Sequence, residues 1–317
     1  MKTRFISQLQ PGDSLTDQFV LVEKTRAHKK DGNSYLNLVL SDRTGSIKAV
    51  VWDNVDQIAS HTESGQIVIV KGQVGSYRGN LQMVVKDMSA APKSEISSAD
   101  FLPATERDVD QMFERLKKVS ESLQKEYLRD LFRAFWSDKT FVDHFKQAPA
   151  AKKMHHAYIG GLLEHTLSMA VLADTISEHY SGIDRDLLIS GVLLHDIGKL
   201  REYNYDVAID YSDEGRLVNH IVIGVQMIDD KIKTLPAFPK ETAMLLKHMV
   251  ISHHGSRELG SPEPPKIIEA VMLNCIDEMD SRVQAVREFM GKEDPGEMWT
   301  SYHRLLERHF YRGRPEE

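Results

Sequence analysis

The chain has one cysteine, Cys275, in 317 residues. That excludes an intramolecular disulfide and any zinc or iron–sulfur site built on thiolates, so a bound metal would have to rest on histidine and carboxylate. Long apolar runs are missing as well. None approaches the roughly 18 residues of a transmembrane helix, and the opening MKTRFISQLQPGD lacks the apolar core of a signal peptide. The expected place is the cytoplasm, with no membrane partner. An excess of positive charge is also absent: 40 Lys and Arg against 47 Asp and Glu give a net −7, which argues against a general polybasic binder of duplex DNA. Apolar residues are not scarce. At 41% hydrophobic and 27% charged, the balance is that of a folded chain rather than a disordered one, and the length suits two domains with sizeable cores.

What is present in quantity is histidine, and it is unevenly placed. Of 14, only His28, His61 and His144 precede residue 150. Charge divides the chain too: residues 1–95 hold 12 Lys and Arg against 10 Asp and Glu, a net of +2, which leaves −9 for the rest. Two differently built parts are expected.

The first part reads as strands. Ser14–Lys24, Ser34–Leu40, Ser46–Trp52, Gln66–Gly72 and Leu81–Lys86 are apolar-leaning segments with partial alternation. Turn signals fall at residues 29–33, 42–45 and 75–80, and residues 53–64 have Val55, Ile58 and Ala59 at helical spacing. Five strands with a short helix between the third and fourth is the order of an OB barrel. The segments TGSIKAVVWD and GQIVIVKGQVGSYRGNLQMVV closely resemble OB-fold nucleic-acid-binding domains over nearly all of residues 13–90. Such a barrel stacks the bases of a single strand on aromatics in a basic groove. The candidates are Tyr35, Trp52 and Tyr77 for stacking, and Lys30, Lys48, Arg78 and Lys86 for phosphates. Each aromatic, taken alone, also suits the barrel core.

Residues 94–103 read as a linker. Thr105-Glu106-Arg107-Asp108 looks like a capping-box start, followed by apolar residues at helical spacing (Val109, Met112, Phe113, Leu116; then Leu128, Leu131, Phe132, Phe135). Everything beyond reads as helical except an interruption near residues 203–217. The expected division is 1–93 as barrel, 94–150 as linker and helical adapter, and 151–317 as a helical domain with C-terminal helices.

The chemistry lies in that last part. GVLLHDIGK sets His195 and Asp196 side by side in an apolar run, where two polar groups are costly to bury without a partner. His165 in GGLLEHTL, His220 in LVNHIVIG, the pair His253-His254 in ISHHGS and Asp277 in LNCIDEMD lie in similar apolar settings. Imidazole and carboxylate together suit Mn²⁺, Fe²⁺, Co²⁺, Zn²⁺ or, less well, Mg²⁺.

These residues resemble the HD-domain metal-dependent phosphohydrolases, whose pattern of His, a later His-Asp pair and a final Asp is met by His165, His195-Asp196 and Asp277. Two-metal versions add histidines between, met by His220 and by one or both of His253 and His254. With the OB segment, the adapter and AIDYSDEGRLVNHI, almost the whole chain looks like the YhaM family of bacterial 3′-to-5′ exoribonucleases. The resemblance implies two divalent ions, Mn²⁺ foremost, with His165, His195, Asp196 and Asp277 on the first, His220, His253 and His254 on the second, and Asp196 bridging. Adjacent histidines on a regular helix point about 100° apart, so both bind only if the helix ends there, as Gly255 allows.

Lys199, three residues after Asp196, shares its helix face and is a candidate catalytic residue that holds the scissile phosphate or protonates the leaving oxygen. Glu164 is a candidate for orienting a ligand imidazole. His155 and His156, with Lys152 and Lys153, are candidate contacts to the RNA backbone. The implied activity is 3′-to-5′ hydrolysis of single-stranded RNA, with single-stranded DNA as a further substrate. Alternatives are a phosphodiesterase or phosphatase for small or cyclic nucleotides, and a non-catalytic single-strand binder. A homo-oligomer stays open.

Overall fold

The computed structural model describes residues 2–29, 32–77, 79–92, 100–152, 154–206, 208–293 and 296–313. The chain divides into two compact units, one of Met1–Ala104 with Asn204–Asp210 and the other of Thr105–Tyr203 with Tyr211–Glu317.

In the first unit, β1 (Ser14–His28), β2 (Ser34–Asp42), β3 (Gly45–Val51), β4 (Ile67–Tyr77) and β5 (Asn80–Ala90) close into a barrel of order β1-β2-β3-β5-β4. The short helix α1 (Val55–His61) stands between β3 and β4, the order of an OB barrel. Strand alternation builds its core: Leu36, Leu38 and Leu40, then Ile47, Ala49 and Val51, point inward with Phe19, Val70 and Met83, while Asn37 and Lys48 between them stay exposed. The parallel pairing of β3 with β5 closes the ring. Gly72 sits where β4 shifts register against β5, and a Cβ there would lie 2.8 Å from the Val84 carbonyl oxygen. β4 and β5 run closer to their hairpin than expected, with Tyr77 paired to Asn80, because the ladder continues past the apolar residues.

The second unit is helical. It comprises α2 (Val109–Glu121), α3 (Glu126–Trp136), α4 (Lys139–Gln147), α5 (Gly161–His179), α6 (Arg185–Leu194), α7 (Lys199–Glu202), α8 (Asp213–Val218), α9 (His220–Lys233), α10 (Lys240–Ser252) and α11 (Ile268–Lys292). The adapter is part of this unit: α2 and α4 pack on α5, and the aromatic faces of α2, α3 and α4 (Phe113, Phe132, Phe135, Trp136, Phe141, Phe145) form one cluster. Helix α2 starts at Asp108, whose side chain accepts from Gln111 N, rather than at Thr105, whose hydroxyl is taken by Glu164. The short strands β6 (Tyr203–Asn204) and β7 (Asp210–Tyr211) fill the interruption. No helix follows α11 among the described residues. The segment 296–313 is held instead by bridges Trp299↔Tyr311 and His303↔Arg308, since its density of aromatics favours extended pairing over helix.

Candidate metal centre

The chemistry-bearing side chains come from the ends and middles of five helices. His165 is in the first turns of α5, His195 caps the C-terminus of α6, and Asp196 follows in the tight turn that leads to α7. His220 opens α9, where the Asn219 side chain accepts from Ile221 N. His253 caps α10, which ends at Ser252, and Gly255 at φ 84° completes the stop. Asp277 lies in α11. Gly198 is what lets α9 begin beside the His-Asp turn, for a Cβ there would sit 1.9 Å from the His220 carbonyl oxygen and 2.7 Å from Gly224 N.

Asp196 is the hub. Its Oδ2 lies 3.3 Å from His195 Nε2 and 3.8 Å from His165 Nε2, while its Oδ1 lies 3.6 Å from His253 Nε2 and 3.7 Å from His220 Nε2. Asp277 Oδ1 joins the first group at 3.4 Å from His165 Nε2. Ligand atoms of His165, His195 and Asp277 fall within 4.8 Å of one another, and so do those of His220, His253 and His254.

Four of the five imidazoles, all but His254, are oriented from behind through Nδ1. His195 Nδ1 donates to Val192 O at 2.8 Å and His253 Nδ1 to Val250 O at 2.6 Å. His220 Nδ1 donates to Glu202 Oε1, and His165 Nδ1 to Asp280 Oδ2, both at 2.8 Å. With Nδ1 carrying the proton, Nε2 is the atom turned to the centre. There the bonding stops: Nε2 of His195, His220 and His253, Oδ1 of Asp196 and Nδ1 of His254 are buried without a hydrogen-bond partner among the described residues. Five orphaned polar atoms at one spot fit a cation, because leaving them unpaired costs about 1–3 kcal/mol each.

Known proteins share both halves of the chain. A family model described as HD domain matches residues 162–282, and one described as OB-fold nucleic acid binding domain matches residues 20–90. The curated 3′-5′ exoribonuclease YhaM of Geobacillus sp. (strain WCH70) is 34% identical over 298 residues, spanning 93% of this chain and 91% of the relative. The protein of the same name from Bacillus velezensis (strain DSM 23117 / BGSC 10A6 / LMG 26770 / FZB42) is 32% identical over 302 residues and 95% of each chain. The chain belongs to the YhaM family. Among solved structures, the second OB-fold domain of replication protein A from Methanococcus maripaludis matches 29% of this chain and 97% of its own at 28% identity, with a TM-score of 0.24. The family and the two-part fold expected from the motifs are thus borne out, and an HD domain implies dependence on divalent metal.

Within this YhaM-family centre, the electrostatics separate the two groups. Burial works against charge on His165, but hydrogen bonds to Asp277 and Asp280 and the nearby carboxylates raise its pKa to about 9 in the metal-free chain. His253 and His254 are lowered by burial and by neighbouring imidazoles. Burial opposes ionisation of Asp196 too, yet Lys199 and the imidazoles hold its carboxyl well below the usual carboxylate range. Lys199 Nζ is 2.5 Å from Asp196 Oδ2. Against its own burial, that pairing raises the ammonium pKa.

Above the centre opens a cavity of about 600 Å³, lined among others by His155, Lys199, Tyr203, His254, Asp277 and Glu278. His155 is in its wall, but burial and the Lys199 charge lower its pKa to about 4. It is neutral at physiological pH, so a contact from it to an RNA backbone would be a hydrogen bond rather than an ion pair. His156 is a correction: it is buried, its Nδ1 is 2.9 Å from Tyr158 Oη and its Nε2 3.3 Å from Asp280 Oδ2, so it packs behind His165 and does not reach an RNA backbone. Glu164 is another, for it bonds Thr105 Oγ1 at 2.6 Å and Arg107 Nε at 3.2 Å rather than an imidazole. The orienting carboxylates are Asp280 and Glu202, which sequence reasoning missed. Asp280 was within reach of it, since three residues after Asp277 on a helix it shares that face.

On the barrel, Tyr35 and Trp52 stack with ring centroids 5.0 Å apart, Lys29 Nζ lies 4.8 Å over Trp52, and Trp52 is 41% exposed. Tyr77 is exposed at the β4–β5 hairpin. Lys48 lines a shallow groove on the outer face with Glu23, Val39 and Gln82. Arg78, Lys30 and Lys153 lie outside the described residues.

Proposed function

We propose that the chain is a metal-dependent exoribonuclease that hydrolyses single-stranded RNA from its 3′ end and releases mononucleotides. The observation that carries this reading is the Asp196 carboxylate, one oxygen toward His165 and His195 and the other toward His220 and His253, amid imidazole nitrogens without partners. The direction and the RNA substrate come from the curated relatives, both named 3′-5′ exoribonuclease.

His165, His195, Asp277 and Asp196 Oδ2 would hold one divalent ion, and His220, His253, His254 and Asp196 Oδ1 the second. The donor set has no thiolate and suits Mn²⁺ first, with Fe²⁺, Co²⁺, Zn²⁺ and Mg²⁺ as competitors. Such ions supply positive charge to the phosphate oxygens and acidify water. The chain does the rest. Lys199, with its pKa raised, stays charged and serves as an electrostatic clamp on a non-bridging oxygen better than as a proton donor. His155 offers a neutral hydrogen bond from the cavity wall. The barrel holds the strand upstream through stacking on Trp52, Tyr35 and Tyr77, with Lys48 near the phosphates. A duplex cannot stack its bases in that way, which favours single strands, RNA foremost and DNA second. This reading places the enzyme in the cytoplasm; among the described residues no helix is long and apolar enough to cross a membrane.

The test is incubation of the full chain and its Asp196→Ala variant with end-labelled single-stranded RNA and Mn²⁺. Mononucleotides should accumulate from the 3′ end with the wild type only. Failure of the wild type to release them, or turnover of cyclic dinucleotides in place of RNA, would overturn the proposal. Equal release by the variant would overturn the site.

A further inference from the structure

Helix α11 lends four residues to one wall of the cavity: Asn274, Asp277, Glu278 and Ser281. Three of them are committed to the metal centre. Asn274 Nδ2 donates to His253 O at 2.8 Å and so fixes the end of α10; Asp277 faces His165; and Ser281 Oγ donates to Asp277 Oδ1 at 3.2 Å. Glu278 belongs to neither ligand group. Its side chain is 50% exposed, and its ion pair is to Arg282 Nη2, 2.5 Å from Oε1 and one turn further along the helix. Among the described residues Glu278 has no second ion-pair partner and no side-chain hydrogen bond to the metal centre.

A carboxylate that lines the cavity beside a phosphodiester-cleaving centre without belonging to either ligand group is at odds with a polyanionic substrate, because like charges at contact distance repel when partly shielded from water. It fits one place on a strand, where the phosphates stop and the sugar presents hydroxyls. Carboxylates are strong acceptors for such groups, as in dinucleotide sites where an acidic residue binds the ribose hydroxyl. Position agrees. Glu278 directly follows Asp277, about 100° round the helix, so it stands beside the reacting phosphate's position and not over it. The cavity, about 600 Å³, lies within the usual range for a small-molecule site and has room for one nucleotide.

We infer that Glu278 reads the end of the strand: its carboxylate accepts a hydrogen bond from the free 3′-hydroxyl of the terminal nucleotide and repels a 3′-phosphate. This rests on the exoribonuclease reading. It adds that the enzyme acts on hydroxyl-ended RNA and stalls on phosphate-ended RNA, and it names the residue responsible.

The experiment compares two oligoribonucleotides of one sequence, ending in a 3′-hydroxyl or a 3′-phosphate, with wild type, Glu278→Gln, Glu278→Ala and Arg282→Ala. A hydrogen bond to a charged group is large enough that wild type should favour the hydroxyl end by about tenfold or more in kcat/KM. Glu278→Gln removes the charge and should narrow that ratio by accepting phosphate ends. Glu278→Ala should also raise KM for hydroxyl ends, with kcat little moved. Arg282→Ala strips the carboxylate of its counter-charge and should widen the ratio. Metal content and thermal midpoint, matched across the variants, exclude a folding effect. A wild type that degrades both ends equally, or ratios unmoved by all three substitutions, would overturn the role of Glu278. If no RNA yields mononucleotides with any variant or the wild type, it is the exoribonuclease reading that falls.

Discussion

Replacing Asp280 should weaken metal binding without touching a ligand. Its Oδ2 accepts from His165 Nδ1 at 2.8 Å and faces His156 Nε2 at 3.3 Å, while Oδ1 accepts from the Ser168 hydroxyl. Asp280→Asn keeps the shape and one acceptor oxygen. The Ser168 hydroxyl can turn and accept from the new amide, so His165 keeps its partner and the charge is the main loss. Asp280→Ala strands two buried imidazole N–H groups, at about 1–3 kcal/mol each. Since loss of a partner behind a metal-bound histidine lowers affinity by about 10–100-fold, Asn should fall near the lower figure and Ala near the upper. The assay is competition for Mn²⁺ against a chromophoric chelator, with Glu202→Gln as the parallel change behind His220. The reasoning is refuted if both Asp280 variants bind Mn²⁺ as the wild type does while the thermal midpoint drops, because the residue would then serve only the packing of α5 on α11.

The raised pKa of His165 makes metal uptake proton-linked. Its imidazole is protonated below about 9 in the metal-free chain, whereas a ligand must be neutral. Mn²⁺ affinity should therefore rise with pH until it levels off near 9, with about one proton released at neutral pH; calorimetry in buffers of different ionisation heat reads this directly, and pH-independent binding would contradict it. By the same sign, His165 adds stability to the metal-free chain that is fully present below about 6.5 and lost as pH rises through about 9. Gly198→Ala forces a Cβ against the His220 carbonyl and should destabilise by about 1–3 kcal/mol, seen as a lower thermal midpoint. Trp52→Ala removes the exposed ring stacked on Tyr35 and should weaken single-strand binding by about 1–3 kcal/mol with cleavage of a dinucleotide unchanged, as fluorescence anisotropy and product analysis would report.

The metal-facing residues were legible because their types are conspicuous in apolar runs: His195-Asp196 directly after Val192-Leu193-Leu194 puts two polar groups where only a buried partner such as a cation offsets their desolvation. What lay behind them was legible only in part. Asp280 had its helical spacing from Asp277 as a mark, but Glu202 looks like an ordinary surface acid until α9 closes over it, and burial by a distant segment leaves no local mark. His156 shows the reverse, since KKMHH reads as an exposed basic stretch, yet the chain turns through a left-handed residue there, φ 57°, and carries the ring inward. In the barrel the alternation of Leu36, Leu38 and Leu40 marked the core, whereas the reach of β1 to His28 depends on main-chain pairing with β2, to which side-chain polarity is blind. The adapter merged with the helical unit because its aromatic face needed α5 as a lid, a need the sequence states without naming the partner.

The carboxylates around the centre impose an order on events. Asp196, Asp277, Asp280 and Glu202 are all held ionised, against Lys199 and His165 as cations, so these six side chains of the metal-free chain sum to −2 at neutral pH. Under the proposed function, a strand arriving before the metal would meet repulsion, and divalent ions would reverse the sign. Ions would then bind before the strand, and metal-starved protein should hold an RNA end in its cleavage pocket weakly, so that it would not shield transcripts from other enzymes by plugging their ends.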